Sequence, residues 1–238
     1  MQILSIGNSF SSDATRYLHR IAKCGGDDIT TVNLYIGGCP LSRHYRNMLS
    51  KEKAYTLNFN GQSTGFSVSL DEALLNRDWD IITVQQASRF SINYDSYQPY
   101  LDDLTSYVRM CCPKAKLVVH ETWAYEEGCE KLAELGFENQ KEMYDALHAA
   151  YCNATYATDA ALKIPSGALF QKLFEKGYKF HRDTYHASFG LGRYALGLLW
   201  YATLTGKDIT DNSFRDFDEP ISEEDIKVVK ECVMATLG

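Results

Sequence analysis

Four short runs, at residues 2–6, 30–36, 80–84 and 116–120, are mostly aliphatic or β-branched, and turn residues bound each of them. Such runs predict strands covered on both faces, and the helical spacing of apolar positions between them predicts helical crossovers, so the strands should run parallel. After the first run, Ala14, Tyr17, Leu18, Ile21 and Ala22 fall on one face of a single helix, which Gly25-Gly26 ends. Tyr97, Tyr100, Leu101, Leu104, Tyr107, Val108 and Cys111 repeat the stripe in a second helix, and Met143, Ala146, Leu147, Ala150, Tyr151 and Ala154 repeat it in a third. The pattern as a whole predicts an α/β fold, a three-layer α/β/α sandwich around a central parallel sheet.

Local signals refine this outline. Ser69-Leu70-Asp71-Glu72 and Ser222-Glu223-Glu224-Asp225 each read as a helix start in which a side chain and a main-chain amide cap one another. Asn60-Gly61, inside residues 55–68, predicts a small β-hairpin on the surface. Residues 187–205, punctuated by Gly190, Gly192 and Gly197, predict a helix buried on more than one side. No repeat, low-complexity tract or linker interrupts the 238 residues, so residues 1–238 are expected to form one domain.

Composition narrows the function classes. Acidic side chains number 31 against 24 basic ones, a formal net charge of −7, so a nucleic-acid backbone or an anionic membrane surface is repelled on average. The longest apolar stretch, residues 194–204, falls well short of a membrane span of ~20 residues. The N-terminal residues carry neither the basic nor the apolar region of a signal peptide, so the sequence as written is expected to be cytoplasmic, or periplasmic or secreted had a signal been removed. Seven cysteines, an odd number without a Cys-x-x-Cys pair, argue for reduced thiols over a disulfide framework or a zinc site.

Two segments carry candidate chemistry. Ile6-Gly7-Asn8-Ser9-Phe10-Ser11 lies where the first strand turns into a helix, at the strand edge where open parallel sheets bind ligands. Asp183 precedes His186 by three residues, close enough to hold the imidazole Nδ1 and fix its tautomer. Taken singly, each feature is more commonly explained by a helix cap or a surface ion pair than by catalysis. Together, Ser9, Asp183 and His186 supply a nucleophile, an orienting carboxylate and a base. His181 with Asp183 and His186 could also be drawn as a metal site, but catalytic zinc needs three well-placed ligands and no second cluster accompanies them.

The Gly7-Asn8-Ser9 start, the Gly37-Gly38 turn after the second strand and Asp183-x-x-His186 ahead of a C-terminal helix resemble the SGNH hydrolase superfamily, also called GDSL-type esterases, from Gly7 to about Gly206. The resemblance implies a flavodoxin-like strand order, a catalytic triad of Ser9, Asp183 and His186, and no metal or organic cofactor. It also implies an oxyanion hole from the amides of Ser9 and Gly38, with Gly37 the near alternative for the second. The superfamily usually adds an asparagine side chain from a Gly-x-Asn-Asp block after the third strand. Here Gln85-Gln86-Ala87-Ser88 stands at that place, and a glutamine carboxamide has the same donor, so Gln86 or Gln85 is expected to complete the hole. Asn8 replaces the aspartate of the GDSL motif, a position outside the triad.

Polar and aromatic residues crowd the same edge: Tyr35, Arg43 and His44, then Arg89 and Tyr94, then residues 120–125. Aromatic faces beside hydrogen-bonding groups suit a sugar, so the expected substrate is a small-molecule or carbohydrate ester, with Gln85, His120 and Trp123 lining its pocket. Hydrolysis of small acyl esters, acetyl foremost, is the leading expectation. An O-acyltransferase and a catalytically silent carbohydrate-binding protein are the alternatives.

Overall fold

A computed structural model describes residues Met1–Gly238 throughout. The four apolar runs form β1 (Gln2–Gly7), β2 (Thr30–Tyr35), β5 (Ile81–Val84) and β6 (Lys116–Glu121), with β3 (Tyr55–Phe59), β4 (Gln62–Val68) and β7 (Leu162–Pro165) completing one sheet. Its order is β4-β3-β2-β1-β5-β6-β7. The five strands from β2 to β7 are parallel, as expected, in the flavodoxin-like order. The hairpin at Asn60-Gly61 does form, with φ of 47° and 79° at its two turn residues, the left-handed pair a two-residue turn requires. It is not a separate surface feature, because β3 pairs antiparallel with β2 and extends the sheet at one edge.

The segment after β1 departs from expectation: it forms α1 (Ser9–Thr15) and α2 (Leu18–Cys24), with a break at Arg16-Tyr17. Tertiary contacts explain the break. The buried Tyr17 hydroxyl donates to the Phe189 carbonyl and accepts from the Asp218 amide at 2.7 Å, partners that a continuous helix would turn away from. The remaining helices are α3 (Leu41–Ser50), α4 (Leu70–Leu74), α5 (Tyr100–Cys111), α6 (Glu130–Glu134), α7 (Gln140–Ala157), α8 (Ser166–Glu175), α9 (Leu191–Thr205) and α10 (Glu223–Leu237). Both expected capping boxes are made, Ser69 with Glu72 at the start of α4 and Ser222 with Asp225 at the start of α10. The second expected helix begins at Tyr100, after a 3-10 turn at Tyr94–Tyr97.

Helices α1, α2 and α10 pack on α9, while α3 packs on α4 and α5, giving helical layers on the two faces of the sheet. Helix α9 buries eleven of its 15 residues and reaches α2 closely at Gly197, where a Cβ would lie 2.6 Å from Ile21 Cδ1. The core is one cluster of 61 buried hydrophobic residues. No helix is long and apolar enough to cross a membrane. The chain leaves β1 toward β2 on one side and returns to β5 on the other, so the crevice at the carboxyl ends of β1 and β5 is where a ligand site belongs.

Candidate active site

Ser9 stands at the head of α1, positioned by its predecessor. Asn8 Oδ1 accepts the Phe10 amide at 2.9 Å while Ser11 Oγ accepts the Asn8 amide at 3.0 Å, a capping box that fixes the exit from β1. Ser9 is half-buried, and its Oγ lies 2.8 Å from His186 Nε2.

Asp183 and His186 come from the loop between α8 and α9. Asp183 Oδ2 lies 2.8 Å from His186 Nδ1, and Asp183 Oδ1 accepts the His186 amide at 2.9 Å, so one carboxylate fixes both the ring and the backbone that carries it. Partial burial pushes the Asp183 carboxyl up, but the side-chain and backbone hydrogen bonds from His186 outweigh it and hold the group below the usual carboxylate range. With Nδ1–H donated to the carboxylate, the Nε2 lone pair faces the Ser9 hydroxyl. Thr184, inside the turn, adopts φ of 71°, a strained conformation for a β-branched residue, and its carbonyl accepts the Glu126 amide at 2.7 Å. His181 is separate from this pair: its Nε2–H donates to the Ala124 carbonyl at 3.0 Å, and burial pushes its pKa down to about 4.

The Gly37-Gly38 turn is tied to the same place, because Asn8 Nδ2 donates to the Cys39 carbonyl at 3.3 Å. Gly38 has φ of 60°, a left-handed conformation that turns the chain after β2. Neither the Ser9 nor the Gly38 amide donates to another group of the chain, so both remain available to an external acceptor.

Four site residues expected from the sequence occupy other places. Gln86 is saturated: its Nε2 donates to the Ser96 carbonyl and hydroxyl at 3.0 and 3.2 Å, and its Oε1 accepts the Leu41 and Ala87 amides at 3.0 and 2.9 Å. No donor is left for an oxyanion, and the side chain instead pins the β5 exit to the start of α3. Gln85, His120 and Trp123 do not line a pocket, since they are 3%, 0% and 0% exposed. Gln85 Nε2 donates to Asn8 Oδ1 at 2.9 Å, leaving Gln85 Oε1 to accept His120 Nδ1–H at 2.7 Å, and His120 Nε2 then accepts the Ser166 hydroxyl at 3.1 Å. Burial drives His120 down to about 3, so this chain of contacts is neutral at pH 7 and braces Asn8 from beneath. Trp123 stacks on Phe10 with ring centroids 4.3 Å apart and donates its indole N–H to the Tyr185 carbonyl at 2.8 Å. His44 is likewise interior, with Nδ1 3.0 Å from the Tyr55 hydroxyl.

The open space beside the site is a cleft of about 370 Å³ lined by Gly38, Ala87, Ser88, Arg89, Tyr125, Lys131, Glu134, Leu135 and Tyr185. Tyr185 connects it to Ser9, Asp183 and His186, its ring centroid 4.1 Å from that of His186. A larger groove of about 650 Å³, lined in part by Leu57, Phe66 and Trp79, lies at the hairpin edge and shares no residue with this site. Ser88 and Lys131 in the cleft and Asp13 behind the site are not marked by any local sequence pattern of catalysis or binding. Asp13 carried one available signal, an acidic residue next to the apolar stripe of α1, and it proves to be 1% exposed.

Fold and site edge together define a protein of SGNH hydrolase fold, with a mostly parallel seven-stranded sheet between helices. Residues 2–235 match the family described as Domain of unknown function (DUF4886), and the chain belongs to that family. It is similar to the crystal structure of a DUF4886 family protein from Bacteroides uniformis ATCC 8492, with 32% identity, a TM-score of 0.92, and coverage of 100% of this chain and 94% of that one. A candidate SGNH hydrolase from Slackia heliotrinireducens shares 22% identity with a TM-score of 0.62, over 86% of this chain and 98% of that one. The lipase/acylhydrolase from Enterococcus faecalis shares 12% identity with a TM-score of 0.55, over 86% and 95%. No curated protein matches the chain.

Proposed function

We propose that this chain is a serine ester hydrolase that removes small acyl groups, acetyl foremost, from a carbohydrate alcohol. The observation that carries the reading is the continuous pair of 2.8 Å contacts from Ser9 Oγ to His186 Nε2 and from His186 Nδ1 to Asp183 Oδ2. In this reading Ser9 Oγ attacks the ester carbonyl carbon as its proton passes to His186 Nε2, and Asp183 stabilises the resulting imidazolium. The amides of Ser9 and Gly38 hold the tetrahedral oxyanion. Collapse breaks the carbon–oxygen bond to the alcohol, which leaves with the His186 proton. Water then attacks the acyl-enzyme, gives its proton to His186, and the acid departs as that proton returns to Ser9 Oγ.

The similarity to lipase/acylhydrolase and SGNH hydrolase folds supports the reaction class. The carbohydrate assignment is supported by the cleft, where the Ser88 and Tyr125 hydroxyls, 3.0 Å apart, stand beside the apolar surface of Leu135. The test is peptide mapping by mass spectrometry after exposure to a fluorophosphonate, with heat-denatured protein and the Ser9→Ala variant as controls. An adduct confined to Ser9 in folded protein is the expected result. Folded protein that leaves Ser9 unlabelled, beside a serine hydrolase that labels normally, would overturn the reading in favour of a silent binding protein.

A further inference from the structure

Two cations face the cleft without carboxylate partners. Arg89 and Lys131 both line it, and neither enters a salt bridge or donates a hydrogen bond within the chain. The Arg89 guanidinium rests 4.9 Å from the Phe90 ring centroid, and the Lys131 ammonium sits 3.5 Å from the centroid of Tyr185, whose ring also packs against His186. The Lys131 ammonium is thus held one aromatic ring away from the His186 imidazole, in a chain whose formal net charge is −7. Other basic side chains are already neutralised by acidic partners, as Arg16 is by Asp218, Lys141 by Asp145 and Arg215 by Glu223, whereas these two remain free for a ligand. The lining includes one carboxylate, Glu134, and it pairs with neither cation.

Lys131 also covers a face of the Tyr185 ring, so a sugar cannot stack there without displacing it. The cleft therefore offers charge and hydrogen bonds from Arg89, Lys131, Ser88 and Tyr125 in preference to an aromatic platform. We infer that the cleft formed by Gly38, Ser88, Arg89, Tyr125, Lys131 and Tyr185 binds a carboxylate carried by the substrate, close to the ester that the triad attacks. This rests on the ester-hydrolase reading for its chemistry, but the binding itself does not require turnover. The shared ligand chemistry is one carboxylate near an ester. It lies on the alcohol side if the substrate is an acetylated uronic acid, and on the acyl side if it is a hemiester of a dicarboxylic acid. A fork such as that of arginine meets a carboxylate with two donors, and an ammonium beside it adds charge that salt screens.

The test measures binding by calorimetry to the Ser9→Ala protein, which leaves esters intact. One pair of probes is the acetylated methyl glycosides of glucuronate and glucose, and a second is the methyl monoester of succinate and methyl butyrate. The acidic member of one pair is expected to bind about tenfold more tightly at low salt, with the difference shrinking toward 0.5 M salt. The pair that responds identifies the side of the ester that carries the charge. Arg89→Gln and Lys131→Gln should each reduce the difference severalfold, and Glu134→Gln should enlarge it. Equal affinity within both pairs, or a preference that survives the Arg89→Gln/Lys131→Gln double substitution, overturns the inference. Fluorophosphonate labelling of the wild-type protein keeps the two readings apart: labelled Ser9 without carboxylate preference sinks only the inference, and preference without labelling sinks only the reaction.

Discussion

Arg182 Nη1 donates to both carboxylate oxygens of Asp13, at 3.0 and 2.9 Å, and so ties the residue before Asp183 to the helix that begins with Ser9. Arg182 also donates to the Ala187 carbonyl, closing the loop around His186, while Arg193 Nε reaches Asp13 at 2.8 Å. The Ser9–His186 distance is thus set by a buried carboxylate that touches neither residue. Asp13 is 1% exposed and its arginine partners 23% and 16%, so loss of its charge should cost about 2 kcal/mol, below the ~3–5 typical of fully buried pairs. Asp13→Asn is expected to fold, to lower kcat about 10- to 100-fold with little change in KM, and to slow fluorophosphonate labelling of Ser9 in parallel. Labelling at the wild-type rate in the folded variant would show that Asp13 has no part in positioning the site.

Asp183→Asn tests the other half of the alignment. An asparagine can present its amide nitrogen to His186 Nδ1, which favours the tautomer whose Nε2 carries a proton and cannot accept one from Ser9. Turnover should fall by about 10³–10⁴-fold with the circular dichroism spectrum unchanged. The side chain of Asp183 is 45% exposed, so stability should change little. Activity within tenfold of wild type would remove Asp183 from the proposed mechanism.

Gln86→Ala separates architecture from catalysis. The substitution strips partners from the buried Leu41 and Ala87 amides, which should lower stability by about 2–3 kcal/mol. An oxyanion donor, in contrast, would cost ~10²–10³ in kcat when removed. The expected outcome is a lower thermal midpoint with kcat within about threefold of wild type below that midpoint. A loss of a hundredfold or more in folded protein would restore Gln86 to the oxyanion hole.

The sequence made the framework legible because it rests on local pattern. Strands β1, β2, β5 and β6 are short runs rich in aliphatic and β-branched residues, and Ser69 and Ser222 announce their helices by capping chemistry that needs no distant partner. Ser9, Asp183 and His186 were readable as candidates for a related reason: each sits in a short segment whose spacing is itself the signal. The errors lie where long-range partners decide. Tyr17 breaks the first helix through contacts with Phe189 and Asp218, which are remote in sequence. Gln85, Gln86, His120 and Trp123 occupy strand ends near the site, as read, but their orientation depends on Asn8, Leu41, Ser96, Ser166 and Phe10. A polar side chain beside a site looks the same in sequence whether it faces the substrate or supports the residues that do.

That interior support is expected to make the protein sensitive to mild acid. Burial pushes His44 and His120 down to about 3 and His181 down to about 4, whereas an unfolded histidine titrates near ~6.5. As pH falls through ~6.5 the unfolded chain takes up protons that the folded protein refuses until about 3–4, so the stability contributed by these neutral rings is complete above ~6.5 and is lost on the way down. Each proton contributes a slope of up to about 1.4 kcal/mol per pH unit. Asp218, held down at about 2 chiefly by the hydrogen bond from Arg16, has the same sign but acts only below ~4, which leaves pH 4.5–6.5 to the histidines. Urea midpoints measured across that window should fall steadily with pH. The decline should be shallower in His44→Gln, whose Nε2 is buried without a hydrogen-bond partner, even though the variant starts from a lower midpoint. Midpoints that stay level from pH 6.5 to 4.5 would mean that the folded protein protonates these rings as readily as the unfolded chain.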